Sequence, residues 1–217
     1  MDGDHAWSAN PNVRFISSVV TTVAMMLFVV SACLAQTRGV WELKYQMPKG
    51  NSLYAVCTVT NASVVAVGQS GEIMTTTDTG QHWLPRNSGT SQTLRGCVAE
   101  SALVCAVGDS GIILLSSNQG ASWTPQNSGV NRTLRGVDFI NSKQGCIVGD
   151  RGTILASTDG GNHWALQPNP NSANLNAVHL VSDSVAFCVG DGGVCMSYVS
   201  SWNTDKTFIH LKSSSAR

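Results

Sequence analysis

Residues that could carry hydrolytic chemistry are few in this 217-residue chain. Glycoside hydrolysis needs two carboxyl groups that flank the scissile bond, or a tyrosine nucleophile supported by a glutamate. The tyrosines and glutamates are scattered along the chain, at Tyr45, Tyr54, Tyr198, Glu42, Glu72 and Glu100. The sequence supplies neither constellation, so we expect no catalytic residue and no enzyme activity.

Cysteine and histidine side chains could bind a metal ion, but their spacing here does not suit one. No two cysteines have the C-x-x-C spacing that is typical of zinc sites. His82 and His163 hold the same position in two different sequence repeats, just before a tryptophan, and we interpret both as exposed strand residues. The sequence therefore predicts no metal ion and no cofactor.

Two cysteines near the end of the chain could form a disulfide bond. Cys188 and Cys195 lie symmetrically about the predicted turn Gly190–Gly193, so a hairpin would place them opposite each other. An exported chain could oxidise this pair, and two buried thiols are the alternative. Cys105 and Cys146 hold equivalent positions in successive repeats and are predicted to be small core residues.

One set of residues could recognise a partner. Each member follows the leading leucine of a sequence repeat, and we expect equivalent positions to converge around a common axis. Two arginines and a tyrosine at such a rim suit an acidic peptide or loop, and solvated strand residues are the alternative. The set is Tyr54, Arg95, Arg135 and Asn176.

These positions recur because the sequence itself repeats. Turn glycines occur at steps of 40, 41 and 41 residues, and the pattern around them stays in register. A repeat of about 40 residues with several short strands is typical of a β-propeller blade. We therefore predict an all-β chain of four blades, each with four antiparallel strands, preceded by an N-terminal hydrophobic helix. The glycines are Gly68, Gly108, Gly149 and Gly190.

The first and third repeats illustrate the predicted blade. In the third, Cys146–Val148 and Thr153–Ala156 are short β-prone runs, and residues 149–152 join them as a hairpin turn whose glycines allow positive φ. Trp164 opens the next strand. In the first repeat the predicted strands are Leu53–Val59, Val64–Val67, Glu72–Thr75 and His82–Pro85.

A second turn in each repeat carries a characteristic motif. Ser157-x-Asp159-x-Gly161-x-x-Trp164 resembles the Asp-box, also called the bacterial neuraminidase repeat. The resemblance implies a structural turn that lies away from any active site. In such a turn the Asp accepts hydrogen bonds from nearby backbone N–H groups. The fourth copy has Val199 in place of the Asp, and the other two copies are Thr76, Asp78, Gly80 and Trp83, and Ser116, Asn118, Gly120 and Trp123.

The wider repeat resembles that of the photosystem II stability and assembly factor family. The resemblance rests on WTPQNSG from Trp123, LRGVDF from Leu134 and GD-x-G-x-I from Gly149, and it extends over residues 39–205. It implies a non-catalytic scaffold that holds a membrane-protein complex or assembly intermediate outside the cytoplasm. The alternatives are a secreted or surface-anchored binding module of unknown ligand in a non-photosynthetic host and, less favoured, a sialidase-like glycosidase.

Charge argues against nucleic acid as a partner. The formal net charge is zero, and charged residues make up 12% of the chain, about half of the usual ~25%. Nucleic-acid binding requires a basic patch or stripe, because it relies on neutralising phosphates. We therefore expect no nucleic-acid partner, and the resemblance implies a protein partner.

The N-terminal segment predicts export. Phe15–Ala35 is free of charged residues and reaches the ~20 residues that span a bilayer. It fits a signal peptide cleaved after Ala35, a lipoprotein signal with lipidation at Cys33, or an uncleaved membrane anchor. The repeats would then lie in the periplasm, in the thylakoid lumen or at the cell surface, with membrane association through this segment in the anchored forms.

These features divide the chain into three segments. Residues 1–35 form the targeting or anchoring segment, residues 36–205 the blades, and residues 206–217 a polar tail. Four visible repeats leave three arrangements open: a closed ring in which a strand at Val40–Tyr45 completes the last blade, an open arc, or a truncated larger propeller.

Overall fold

The computed structural model describes residues 42–43 and 51–199. The chain divides into two compact units, Met1–Leu43 and Lys44–Arg217, and every strand described here belongs to the second. This part is all-β, as the sequence predicts. Its fifteen described strands form three four-stranded antiparallel sheets and one three-stranded antiparallel sheet. Each sheet corresponds to one sequence repeat, and we call the sheets blades 1 to 4.

Within each blade the strands are hydrogen-bonded in chain order. Blade 1 contains β1 (Leu53–Thr58), β2 (Val64–Gly68), β3 (Ile73–Thr76) and β4 (Leu84–Arg86). Blade 2 contains β5 (Leu94–Glu100), β6 (Leu103–Gly108), β7 (Ile113–Ser116) and β8 (Thr124–Gln126). Blade 3 contains β9 (Leu134–Phe139), β10 (Gly145–Gly149), β11 (Ile154–Ser157) and β12 (Ala165–Leu166). Blade 4 contains β13 (Leu175–Ser182), β14 (Val185–Gly190) and β15 (Cys195–Val199).

The third and fourth strands of a blade begin slightly later than the sequence predicts. A one-turn 3-10 segment joins the second and third strands, and in blade 3 it spans Asp150–Gly152. Thr153 donates its N–H to the Asp150 carbonyl at 3.1 Å, which closes this turn and delays β11. The residues before β4 and β12, including His82 and Trp164, belong to the second turn rather than to a strand.

The two glycines of the first turn serve different purposes. In blade 3, Gly152 has φ +67° and follows Arg151 at φ 54°, which is the positive-φ geometry that the sequence predicts for a hairpin turn. Gly149 is extended, with φ −167°, so the predicted reason for a glycine was wrong there. A Cβ on Gly149 would collide with the carbonyl oxygen of Thr133, so this glycine permits close approach of two backbones.

The core lies between neighbouring blades. Three clusters of buried side chains join blade 1 to blade 2, blade 2 to blade 3, and blade 3 to blade 4. The middle cluster includes Ile147 and Leu155, which pair across β10 and β11 and are fully buried. Burying one such side chain contributes about 1.5–3 kcal/mol, so stacking against a neighbour is what stabilises each sheet.

The outer blades expose apolar residues at positions that are covered elsewhere. Phe187 and Val189 of β14 are 45% and 46% exposed, whereas their equivalents in blade 3, Cys146 and Val148, are 7% and 1% exposed. Leu53, which begins the first strand of blade 1, is 46% exposed, while the equivalent leucines of the other blades are fully buried. No core cluster of the described residues joins blade 4 to blade 1.

The predicted opposition of Cys188 and Cys195 was wrong. In the observed register Cys188 pairs with Met196, and Cys195 pairs with Val189. Neighbouring residues of a strand point to opposite faces, so Cys188 is buried against blade 3 while Cys195 is exposed. Both are free thiols.

Several predictions fall outside the described residues. They concern Phe15–Ala35 with Cys33, the polar tail, and the fourth strand of blade 4. Of the predicted strand at residues 40–45, only Glu42 and Leu43 are described, and neither lies in a strand. Within residues 42–43 and 51–199, no helix has the length and hydrophobicity needed to cross a membrane.

Candidate functional site

The Asp-box of blade 3 is a hydrogen-bonded turn. The Ser157 hydroxyl accepts a hydrogen bond from the Gly161 N–H at 2.9 Å and donates one to Asp159 Oδ1 at 3.0 Å. Asp159 Oδ1 also accepts the N–H of His163 at 2.9 Å. The serine and the aspartate therefore satisfy backbone donors that the turn leaves without partners, which is the structural role that the sequence predicts.

The same network recurs in blades 1 and 2 with altered residues. In blade 1, Thr76 Oγ1 accepts the Gly80 N–H at 3.1 Å. In blade 2, Asn118 replaces the aspartate, and its Oδ1 accepts the Ser122 N–H at 2.9 Å. An amide oxygen can thus make this backbone contact in place of a carboxylate oxygen.

The tryptophans complete these turns by packing beside them. Trp123 donates its indole N–H to the Gly120 carbonyl at 3.0 Å. Trp164 meets Phe139 edge to face at a centroid distance of 5.9 Å, although its indole nitrogen is buried without a hydrogen-bond partner. Trp83, Trp123 and Trp164 are all half-buried. These side chains therefore anchor the turns rather than form a site.

The two histidines that precede these tryptophans have a role that sequence reasoning missed. His82 and His163 are exposed, as predicted, but each lies in the turn, where its Nδ1 pairs with the Asp-box carboxylate at 2.6 Å and 2.5 Å. The backbone N–H of His82, then the Thr76 hydroxyl, then the His82 imidazole lower the pKa of Asp78 well below its usual range. A histidine four residues after each aspartate was the available signal.

The predicted rim residues contact acidic residues of their own blades. Arg95 donates Nε to Asp109 Oδ1 at 2.6 Å and Nη2 to Oδ2 at 3.0 Å. Arg135 donates Nε to Asp150 Oδ1 at 2.5 Å. Their side chains are 37% and 34% exposed, so the predicted arginines are only partly accessible.

The other two rim residues, Asn176 and Tyr54, also contact side chains of the blades. Asn176 donates Nδ2 to Asp191 Oδ1 at 2.7 Å, and Asn174 donates to Oδ2 of the same carboxylate at 2.9 Å. The Tyr54 ring lies beneath the Arg95 guanidinium at 5.9 Å, which is within cation–π range. Tyr54 thus joins blade 1 to the rim of blade 2.

Strand register explains why these partners meet. The leading leucine of each blade pairs with the turn glycine of the next strand, as in Leu94 with Gly108, and the register shifts between Leu94 and Gly96. The shift leaves Arg95 without a cross-strand partner, and its side chain reaches Asp109, which follows Gly108 in the turn. Sequence reasoning missed the three aspartates, although each directly follows a turn glycine. We call the set Tyr54, Arg95, Arg135, Asn176, Asp109, Asp150 and Asp191 the rim set.

The rim set holds two arginines and three aspartates, so its formal net charge is −1. The hydrogen bond from Arg95 lowers the pKa of Asp109, and the same bond raises the pKa of Arg95. Thr133 of blade 3 also donates to Asp109 Oδ1 at 3.1 Å, so this carboxylate joins two blades. An acidic partner would have to share or displace these aspartates, and each exposed ion pair contributes only about 0.2–1 kcal/mol.

A groove of about 570 Å³ lies beside the Arg135–Asp150 pair. Its walls come from the link between blades 2 and 3, at residues 129–133, and from Asp150, Arg151 and Leu166. Two further arginines, Arg132 and Arg151, are exposed there. The groove is thus an open, largely polar surface with cations on its walls, which suits an extended segment that carries carboxylates.

Comparisons with known proteins agree with this geometry. Residues 115–196 match the sequence model of a family described as photosynthesis system II assembly factor YCF48. The repeats within this matched stretch are similar to those of the YCF48 family. The resemblance predicted from the sequence is therefore confirmed. No curated protein matches the chain.

Two solved YCF48 structures have the same fold. A structure of YCF48 bound to D1 peptide superimposes with a TM-score of 0.62 at 18% identity and covers 84% of this chain. YCF48 from Cyanidioschyzon merolae gives a TM-score of 0.63 at 14% identity and covers 82%. This chain spans 60% and 61% of those two proteins, so the likeness extends over part of a longer YCF48 chain.

The blade architecture is shared with enzymes as well. The GH74 enzyme of Niastella koreensis superimposes with a TM-score of 0.57 at 17% identity. It covers 72% of this chain, which in turn spans 29% of the enzyme. At these identities the structural likeness describes the fold and carries no function by itself.

Proposed function

We propose that this chain is a non-catalytic interaction scaffold similar to photosystem II assembly factors. The observation that carries the proposal is the repeated arginine–aspartate pair, Arg95 with Asp109 and Arg135 with Asp150, at one position of two adjacent blades. Asp150 of the second pair lines the groove. The YCF48 structure that holds a D1 peptide supports a peptide as the ligand. The partner is then an acidic peptide or loop of a membrane-protein complex.

The aspartates give the arginines a defined geometry. A guanidinium that is already paired with a carboxylate loses less side-chain freedom when a partner arrives, because its orientation is held. An incoming carboxylate can bind the remaining N–H donors of Arg135, whose described contact to Asp150 uses Nε. The exposed Arg132 and Arg151 of the groove then add attraction without a buried ion pair.

The charge states of the acidic residues support a non-catalytic role. A glycosidase needs one carboxylic acid whose pKa is raised, so that it can donate a proton. Among the described residues, four carboxyl groups have a shifted pKa, and all four are lowered: Asp78, Asp109, Asp159 and Asp191. Each serves as a hydrogen-bond acceptor in a turn or in the rim set, which is a structural use.

Exposed apolar residues on the outer blades bear on how the four blades are arranged. Because Phe187 and Val189 are exposed where their equivalents in blade 3 are buried, we take the four blades to be an open arc rather than a closed ring.

The expected export places this scaffold outside the cytoplasm, in the periplasm, in the thylakoid lumen or at the cell surface. A secreted or surface-anchored module with another ligand is the second candidate, favoured only if the host lacks photosynthetic reaction centres.

The test is capture of partners from host membranes. The tagged full-length chain and its R95A/R135A variant are incubated with detergent-solubilised membranes, and bound proteins are identified by mass spectrometry. We expect the wild type to enrich subunits of one membrane complex and the variant to lose them. Equal recovery by both proteins, with unchanged thermal melts, would move the binding surface away from the rim set.

A further inference from the structure

Two cysteines face each other across the interface between blades 1 and 2. Cys57 of β1 pairs with Val65, a fully buried member of the cluster that joins these blades. Cys97 of β5 pairs with Ala106, which enters the same cluster from the opposite side. The two side chains therefore point into one interface from different sheets, although residues 58–96 separate them in the chain.

The two thiols lie close together, because both pack against the same core cluster and the Cys97 sulfur lies 4.0 Å from the carbonyl of Val65, the cross-strand partner of Cys57. The neighbouring Cys57 thiol, followed by burial, raises the pKa of the Cys97 thiol far above its usual value. Cys97 therefore stays protonated at neutral pH. Both residues are half-buried and both are free thiols.

We propose that Cys57 and Cys97 form a redox-active pair that closes into a disulfide bond between blades 1 and 2. This proposal is independent of the interaction with an acidic partner.

The reaction is a thiol–disulfide exchange with a small disulfide or an oxidoreductase disulfide as the oxidant. The thiolate of one cysteine of the pair attacks one sulfur of the oxidant, so that a mixed disulfide forms and the first thiolate leaves. The thiol of the other cysteine then gives up its proton and displaces the second thiolate, which forms the Cys57–Cys97 bond. Two protein thiols are oxidised, and the oxidant is reduced to two thiols.

The other described cysteines lack either contact with a second thiol or access to an oxidant. Cys146 and Cys188 also face each other, across the interface of blades 3 and 4, but they are 7% and 8% exposed and lie inside the core cluster. Cys105 is fully buried. An oxidant must reach a sulfur to exchange with it, so the half-buried pair reacts and the buried thiols serve as internal controls.

A disulfide bond between Cys57 and Cys97 would link blades 1 and 2 covalently, where only non-covalent contacts now join them. Closing a loop over residues 58–96 removes freedom from the unfolded chain, and the folded state gains stability as a result. Oxidation should therefore raise the thermal midpoint of the chain and slow the separation of blade 1 from blade 2.

The test is oxidation of the purified full-length chain with oxidised glutathione, followed by tryptic digestion without reductant. Cleavage at Lys49, Arg86, Arg95 and Arg132 places Cys57 in the peptide 50–86 and places Cys97 with Cys105 in the peptide 96–132. A C105S variant therefore keeps the assignment unique. We expect a cross-linked 50–86/96–132 species in the wild type and in C105S, and its absence in C57S and in C97S.

The thermal melt supplies the second readout. We expect oxidation to raise the midpoint of the wild type and of C146S by a few degrees, and to leave C57S and C97S unchanged. A cross-link that survives in C97S but vanishes in C105S would overturn the proposal. So would a native chain in which both thiols become glutathionylated without closing the bond.

Discussion

Arg95 donates two parallel hydrogen bonds to Asp109, from Nε to Oδ1 at 2.6 Å and from Nη2 to Oδ2 at 3.0 Å. The contact lies inside one blade, and blade 3 has a single hydrogen bond at the same position, from Arg135 Nε to Asp150 Oδ1. Bidentate pairing of this kind is the geometry by which arginine recognises carboxylates of partners. The aspartates thus occupy the surface that we assign to an acidic ligand, and they compete with that ligand.

Removing this competition should strengthen binding. In a D109N/D150N variant the amides keep the size of the aspartates and can still accept one hydrogen bond, but the arginines lose a counter-charge. Because each pair is worth about 0.2–1 kcal/mol, we expect an acidic peptide to bind up to several-fold more tightly. Titration of a fluorescent acidic peptide measures this, and D183N, at an exposed aspartate outside the rim set, is the control. Weaker binding in D109N/D150N would mean that the aspartates, not the arginines, face the ligand.

The Asp-box of blade 3 should tolerate an amide but not an alanine. Asp159→Ala removes the acceptor of the His163 N–H, and we expect the unfolding free energy to fall by about 1–2 kcal/mol. Asp159→Asn should cost much less, because Asn118 makes the same backbone contact in blade 2. Urea denaturation compares the variants. Equal losses in both would show that the charge, through the His163 pair, is what the turn requires.

Acid should lower the stability of the folded chain by protonating the Asp-box carboxylates. Burial raises the pKa of Asp159, but hydrogen bonds from the N–H and the imidazole of His163 and from Ser157 outweigh it, so the pKa is lowered in the folded state. The unfolded aspartate binds its proton near pH 4, at a higher pH than the folded one. The stabilisation is thus complete above that pH and is lost as the pH falls through the folded pKa. We expect D159N to lose less stability than the wild type between about pH 5 and pH 2. Parallel acid denaturation curves for the two proteins would contradict this.

Gly149 and Gly129 should respond differently to alanine. Gly149 has an ordinary extended φ, but a Cβ would collide with the Thr133 carbonyl. Gly129 has φ +70°, and a Cβ there would meet no atom within 4 Å. We expect Gly129→Ala to cost about 1 kcal/mol from its backbone conformation alone. Gly149→Ala should cost clearly more, because two strands must move apart. Thermal melts of the two variants compare their stabilities. A larger loss of stability in Gly129→Ala would contradict the close approach of the two backbones at Gly149.

The repeats were predictable because each blade is specified locally. The turn glycines and the Asp-box network connect residues that lie within about ten positions of one another, so one repeat of the sequence contains its own structural information. The stacking of blades follows from the repeat itself, because a single blade cannot bury both of its faces. Sequence alone therefore predicted the all-β fold, the four blades and the structural role of Asp159.

Contacts that depend on register were not predictable in the same way. Counting residues placed Cys188 opposite Cys195, but the strands pair one residue away from that alignment, which turns the two side chains to opposite faces. The partnership of Arg95 with Asp109 also depends on register, since an irregularity between Leu94 and Gly96 brings the two residues side by side. The thiol contact between Cys57 and Cys97 depends on blade packing, which no local pattern encodes.

The central claim is that the paired arginines of adjacent blades bind an acidic partner, and a direct binding titration tests it. A D1 peptide, the ligand of the related YCF48 structure, is titrated against the wild type, R95A/R135A, R95K/R135K and N176A at low and moderate salt. The account predicts binding that weakens with salt, survives in N176A, falls at least tenfold in the double alanine variant and is partly restored by lysine, which lacks the planar fork. The wild type and the three variants should melt within a few degrees of one another, because the arginine side chains are more than one-third exposed. Unchanged affinity in R95A/R135A, with the fold intact, would contradict the claim.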